Sequence, residues 1–377
     1  MTEDDKARAA TIFDVARLAG VSHQTVSRVL NDLPNVRPAT RQRVENAIRQ
    51  LRYVPSPAAR AMVTRRSRTI GLITTGSADF GPSSTALHFN ETARDARYAV
   101  ITAGLLEADA AHVRSAAELL VRQNVEAIVL IVQERAAVEG ITGVDLGVPV
   151  VAVSSEDRGA PHRVALDQYA GARAAVDHLV GLGHRDIRHI AGPAGSMDAA
   201  ERVRGWFGGL AAHGLVSREP LVGDWTPASG YAHGVRLASE GSATAVFVAN
   251  DQMALGLIRS YTEAGLRVPD DLSVVGFDDI PEAAFFSPPL TTVRQDFTVL
   301  GRAAMEAVLG VLGEREGGAP EALAGDGLGV SLVVRASAAA PAAAPSPAAG
   351  ASRAHASEIS STVSPVSAAE RERATSA

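Results

Sequence analysis

Residues 11–31 read TIFDVARLAGVSHQTVSRVLN, and the spacing of their small and apolar side chains decides the fold of the N-terminal region. Thr11 is placed to cap a helix over IFDVARLAG, and Ser22 to cap a second over HQTVSRVLN. Two helices that cross through a tight turn need a small residue where they touch and a glycine in the turn. Ala16 is that contact, and Gly20 follows four residues on, where positive φ is wanted. Val15, Ala19, Val21, Val26 and Val29 supply the apolar face. The outer face of the second helix presents Ser22, His23, Gln24, Thr25, Ser27 and Arg28, with no carboxylate among them. A merely solvated face mixes Glu with Lys, whereas this one suits phosphates and base edges. The segment reads as a helix-turn-helix for double-stranded DNA.

Ala39 and Thr40 open a third helix, RQRVENAIRQL, whose Val44, Ile48 and Leu51 share one stripe. This sets an all-α headpiece at residues 11–54, behind a disordered stretch at 1–10. Pro55-Ser56-Pro57 then breaks the chain, and AARAMV with TRRSR forms a hinge helix and basic linker over 55–68. A helix that short is unstable alone in water; Ser56 as cap and Pro57 in the first turn lower its cost. Residues 1–68 hold 13 Lys plus Arg against 6 Asp plus Glu, whereas the whole chain is at −6. A basic head on an acidic body places a polyanion at one end of the molecule.

From Thr69 short β-branched runs alternate with amphipathic helices. Strands are expected at 69–74, 98–103, 126–132, 149–153, 187–192, 245–250, 272–278 and 290–296. Continuous apolar strands separated by helices mean parallel sheets covered on both faces. Some 270 residues of this pattern exceed one doubly wound sheet, so the core divides into two lobes. Lobe 1 is expected at about 69–166 and 295–325, and lobe 2 at about 167–294 and 326–335. From Ala336 the chain turns to Ala, Pro and Ser, and 336–377 is expected to be a disordered tail.

The 377 residues contain no cysteine, which excludes disulfide scaffolds, thiol nucleophiles and thiolate metal sites. No apolar run approaches the roughly 20 residues needed to cross a bilayer, and residues 1–10 lack a signal-peptide core. A cytoplasmic, nucleoid-associated protein is expected, with no membrane partner. No HExxH, GxSxG or GxxxxGK[ST] motif is present, and GLGHRD (181–186) lacks the third glycine of a dinucleotide loop. The expectation is a protein that is not an enzyme and needs no cofactor.

TIFDVARLAGVSHQTVSRVLN and TRQRVENAIRQLRYVPSPAARAM resemble the headpiece of the lactose and galactose repressor family. AGPAGSMDAAERVRGW, GDWTPASGY, VANDQMALG, GLRVPDDLSVVGFDD and PPLTTVRQDF carry the resemblance through the body, most of all to its lactose repressor branch. It covers about residues 11–335. It implies an α/β periplasmic-binding-protein-like core of two doubly wound parallel-sheet sub-domains, working as a homodimer on a pseudo-palindromic operator. By resemblance His23, Gln24 and Arg28 read base edges, Arg28 being suited to a guanine. Ser22, Thr25, Asn31 and Thr40 fall on phosphate-anchoring positions, and Thr11, Ser27, Tyr53, Ser56 and Ala59 complete the DNA-contacting set. Met62 stands where the family wedges a leucine into the minor groove.

In the body, Arg202, Asn250, Asp278 and Gln295 match effector positions that offer planar hydrogen-bonding groups, and Trp225 offers a platform for a pyranose face. Asp79, Pro82 and Asp167 join this set. Gln295 is expected on the chain's return to lobe 1, opposite Arg202 and Asp278. Trp206 is expected in the core. Where the lactose branch has a cleft Asp and Asn, this chain carries Ser154 and Ile131, and Asp79, Gly81, Pro82 and Thr85 replace a more apolar wall. The effector is thus expected to be a small sugar, a galactose-type glycoside by preference, that releases the operator. A purine or other small molecule acting as corepressor is the alternative. A sugar-binding transport receptor would share the body but has no use for the basic head.

Overall fold

The computed structural model describes residues 10–30, 33–54, 66–75, 79–155, 162–313 and 329–342. Asn31, Ser56, Ala59 and Met62, with the hinge helix, lie outside them. The head consists of α1 (Ile12–Ala19), α2 (His23–Leu30) and α3 (Pro38–Leu51). Thr11 and Asp14 form a reciprocal capping box, in which Thr11 N–H donates to Asp14 Oδ2 at 3.0 Å. Gly20 ends α1 at φ +65°, as the turn requires. Val15, Val26 and Val44 come from one helix each and meet fully buried, which stabilises the head by roughly 1.5–3 kcal/mol per side chain. Contrary to expectation, α3 opens at Pro38, with no side-chain cap, and Thr40 lies inside its first turn. Proline at that position forfeits no helical hydrogen bond and presets φ, so the start needs no hydroxyl cap.

The core holds two sheets. The first has strand order β2-β1-β3-β4-β5, from β1 (Thr69–Thr75), β2 (Ala99–Leu105), β3 (Ala127–Ile131), β4 (Val150–Val153) and β5 (Arg163–Val164), all parallel. The second has order β11-β10-β9-β8-β6-β7, from β6 (Ile187–Ala191), β7 (Leu221–Val222), β8 (Ala245–Val248), β9 (Ser273–Asp278), β10 (Thr291–Gln295) and β11 (Val330–Val333). It is parallel except for β11, which pairs antiparallel with β10. Every residue of β3, β6, β8 and β9 is buried, which explains the unbroken apolar runs of β3 and β8; β6 and β9 bury Arg188, His189, Ser273 and Asp278 as well. The flanking helices are α4 (Phe80–Asp95), α5 (Ala110–Arg122), α6 (Arg135–Ile141), α7 (Gln168–Gly181), α8 (Met197–Ala212), α9 (Pro227–Glu240), α10 (Asp251–Glu263) and α11 (Phe297–Val311). Helix α11 packs on lobe 1 through Leu300, Ala304 and Val308, although the strand before it belongs to lobe 2. Among the described residues no helix is long and apolar enough to cross a membrane.

Two boundaries differ from expectation. Gln295 ends β10 and so belongs to the lobe 2 sheet. The chain also stays ordered past Ala336: residues 336–341 strap the base of lobe 2. Ser337 is fully buried, accepting from Thr291 N–H at 2.8 Å and donating to Val274 O at 2.7 Å. Val274 N–H donates back to Ser337 O at 2.8 Å, and His184 Nε2 lies 2.8 Å from Ala339 O. These bonds satisfy backbone groups in the first residues of β9 and β10, which would otherwise be buried without partners.

Candidate functional site

The cleft between the lobes is lined from lobe 1 by Asp79, Phe80, Pro82, Ser154 and Ile131, and from lobe 2 by Asp198, Arg202, Trp225, Asn250, Asp278 and Gln295. The strands deliver these groups at their C-terminal ends, where parallel sheets bind ligands. Asp278 is the last residue of β9, Gln295 the last of β10, and Asn250 follows β8 as the cap of α10. Helix α8 carries Arg202 inward.

Four buried side chains close a ring. Arg202 Nε donates to Gln168 Oε1 at 2.9 Å, Gln168 Nε2 to Gln295 Oε1 at 2.8 Å, and Gln295 Nε2 to Asp278 Oδ1 at 2.7 Å. Arg202 Nη2 lies 3.5 Å from the same Asp278 oxygen. Arginine can only donate and a carboxylate only accept, so the two ends fix how both amides face. The guanidinium is also packed against the Phe277 ring, 3.9 Å from its centroid, and 5.4 Å from that of Trp225. Its Nη1 donates to Ala249 O.

Burial pushes Asp278 up to about 6; Arg202 and Gln295 hold it down, and the charges of Asp198 and Asp79 add to the rise. Behind it, burial and then the charge of Asp278 raise Asp251 well above the carboxylate range. Asp251 accepts from Thr292 Oγ1 at 2.6 Å and Ile280 N–H at 2.9 Å, which pins the turn where Asp278 and Asp279 take positive φ. Trp225 is likewise held at φ +71°, and its carbonyl accepts from Asn250 Nδ2 at 3.0 Å. Asn250 Oδ1 caps α10 through Met253 N–H at 2.9 Å, so this residue anchors the platform.

The lobes also touch at the N-terminus of α8. Ser155 Oγ donates to Asp198 Oδ1, Ser154 Oγ lies 3.3 Å from Met197 Sδ, and Met197 N–H donates to Gln133 O at 2.9 Å. Asp167, expected among the effector contacts, does not line the cleft: its carboxylate accepts from Ala170 N–H at 2.8 Å and caps α7. Gln168 and Asp198, which sequence reasoning passed over, do line it. Trp206 is fully buried against His189, as expected of a core residue.

On the head, His23, Gln24 and Arg28 are exposed along α2, and Thr25 and Ser27 are half-buried beside them. Ser22 Oγ accepts from Thr25 N–H at 3.2 Å, which caps α2. The hydroxyl of Thr11 is taken up by Asp14 at 2.6 Å, and Tyr53 packs against the head core. Phe13, absent from the expected set, is 62% exposed and lies against His23, with ring centroids 5.2 Å apart.

The signature of bacterial regulatory proteins of the lacI family matches residues 11–56, and that of a periplasmic binding protein-like domain matches residues 176–338. The lactose operon repressor of Escherichia coli strain K12 is 35% identical over 307 residues, which are 80% of this chain and 84% of that protein.

The chain belongs to the lacI family.

Among solved structures of lacI-family proteins, the lac repressor dimer bound to operator and the anti-inducer ONPF superposes with a TM-score of 0.79 at 33% identity, covering 88% of this chain and all of that one. The regulator CelR in complex with cellobiose gives 0.62 at 30% identity, covering 87% and 99%. Family membership makes this chain a DNA-binding transcriptional regulator, with the head and two-sheet core arranged as described.

Proposed function

We propose that the protein is a dimeric repressor that holds a pseudo-palindromic operator through paired heads, in the cytoplasm at the nucleoid, and lets go when a small sugar enters the cleft. The observation that carries the sugar reading is the ring of Arg202, Gln168, Gln295 and Asp278, set beside the Trp225 indole at one wall of the cleft. A pyranose offers paired hydroxyls to planar groups and a C–H face to an aromatic ring. A galactose-type glycoside is the preferred effector, because Arg202, Trp225, Asn250, Asp278 and Gln295 all line one cleft. Names of relatives that carry a lactose operon and cellobiose support the class. Phe285, Val222 and Leu255 on lobe 2, exposed at 87%, 56% and 44%, support burial against a second copy.

A purine corepressor remains the second reading, since Phe80 and Phe297 both line the cleft. Their planes meet edge-on at 79°, which leaves no parallel slot for a nucleobase. Operator binding, with and without sugars and nucleobases, tests both. Arg202→Ala and Asp278→Ala should hold operator and no longer release it on addition of the sugar that releases the parent. Tighter DNA binding on addition of hypoxanthine or guanine would replace the sugar reading by the corepressor one.

A further inference from the structure

Gln168 stands where the chain passes from one lobe to the other. Leu166, two residues before it, packs in the lobe 1 core, and Ala172, on the helix that Gln168 opens, packs in the lobe 2 core. Its backbone is fixed there. Gln168 N–H donates to Leu166 O at 3.0 Å, and the Asp167 carboxylate caps the helix through Ala170 N–H at 2.8 Å. A glutamine in a first helical turn ordinarily faces water, but this side chain is 4% exposed and both of its polar atoms bond inside the ring.

The other members of the ring depend on Gln168 unequally. Arg202 also has Ala249 O, Asp278 and the Phe277 ring, so it keeps its place without Gln168. The Gln295 side chain has two bonds, one from Gln168 Nε2 and one to Asp278 Oδ1. An amide held at both ends presents its remaining hydrogen and lone pair in one fixed order, whereas an amide held at one end can pivot about that bond.

We infer that Gln168 is a positioning residue for the effector: it locks the Gln295 amide, so that Gln295 offers a donor and an acceptor to neighbouring sugar hydroxyls in a set direction, and it makes no sugar contact of its own. This rests on the sugar reading above. An unlocked Gln295 has to be ordered again at each binding event, and affinity falls by that cost. Gln168→Glu isolates the bond, since a carboxylate fills the same space and still accepts from Arg202 Nε but has no proton to give to Gln295 Oε1. Gln168→Met is the uncharged counterpart.

The experiment is calorimetric binding of methyl β-galactoside, lactose and cellobiose to the full-length protein, in the parent, in each Gln168 variant, and in the same three chains carrying Gln295→Met. For a sugar that the parent binds, either Gln168 variant should raise the dissociation constant about tenfold or more, as expected when one buried hydrogen-bond partner is lost. With Gln295→Met in place the same changes should cost less than about threefold, because the residue they act through is gone. A dissociation constant unmoved by both variants would overturn the inference and leave the sugar reading in place. So would an equal cost with and without Gln295, which would make Gln168 a sugar contact or a packing residue. A parent that binds none of the three sugars would remove the sugar reading, and this role with it.

Discussion

The indole of Trp225 lies over Gly192 so closely that a Cβ on the glycine would stand 2.2 Å from Trp225 Cη2. Gly192 follows β6 directly, so the end of one strand forms the seat for the platform that rises from the loop after β7. No side chain but hydrogen fits between them.

Gly192→Ala should therefore tilt the ring out of the cleft while leaving the head untouched. Operator affinity should stay within about twofold of the parent, and the sugar concentration for half-release should rise about tenfold, in line with the loss of an aromatic stacking contact worth roughly 1 kcal/mol or more. Tryptophan fluorescence gives a second readout, since the only other indole, Trp206, is fully buried. An unmoved sugar response would take Trp225 out of the site.

On the head, Arg28 projects from α2 into solvent. Arg28→Ala should cost about 1–3 kcal/mol on the cognate operator and relax preference at one base pair, as measured by binding to an operator library. An equal loss on every sequence would make Arg28 a phosphate contact.

The buried acid and imidazole of lobe 2 pull in opposite directions on pH. Burial lifts Asp278 to about 6 from an ordinary 3.8, and lowers His189 to about 4 from an ordinary 6.5. Between about pH 4 and 6 the native state binds more protons at Asp278 than the unfolded chain does, so that contribution to stability is lost as pH rises. His189 binds fewer in the native state over about pH 4 to 6.5, so its contribution is lost as pH falls. Asp278→Asn removes the first effect, together with the share of the rise at Asp251 that comes from the charge of Asp278, and leaves the burial of His189 in place. Denaturant stability should then fall more steeply than in the parent from pH 7 to pH 5, by roughly 1 kcal/mol over that interval. Parallel curves would show that Asp278 titrates alike in both states.

The strap at 336–341 predicts a sharp truncation boundary. Removing 343–377 should leave thermal stability and the dimer mass unchanged. Removing 336–377 should strip the partners of Thr291 N–H, Val274 and His184 and destabilise lobe 2. Ser337→Ala alone should cost about 1–3 kcal/mol, since both bonds of its hydroxyl are buried. Equal stability of the two truncations would refute the boundary.

Much of this architecture is legible in the residues because burial writes itself into hydropathy. β3 and β8 are apolar throughout and β9 is so between Ser273 and Asp278, and the expected runs lie within two residues of all three. β5 and β7 pair through only two residues each, too short to make a pattern. The strap docks by backbone groups and one serine hydroxyl, which a hydropathy reading cannot distinguish from a solvated Ala/Pro/Ser tail. In the cleft, residues at strand ends were recognisable, but Gln168 and Asp198 begin helices, where polar side chains are ordinary. Asp167 stands beside Gln168 for the same local reason, and its carboxylate caps the helix. Whether a polar residue in a first helical turn faces a cap or a cleft is set by the long-range crossing of lobes, which neighbouring residues do not encode.

That crossing also fixes an order of assembly during synthesis. The head is contiguous and complete by residue 54, so it can fold as soon as it leaves the ribosome. Lobe 1 must wait for α11, which ends at Val311, and lobe 2 for β11 and Ser337. For most of its translation the nascent chain therefore carries a finished DNA-binding unit on an unfinished body. Messages cut short anywhere between these points yield heads that lack the cleft between the lobes, so that nothing bound in that cleft can act on the head before β11 and Ser337 are in place.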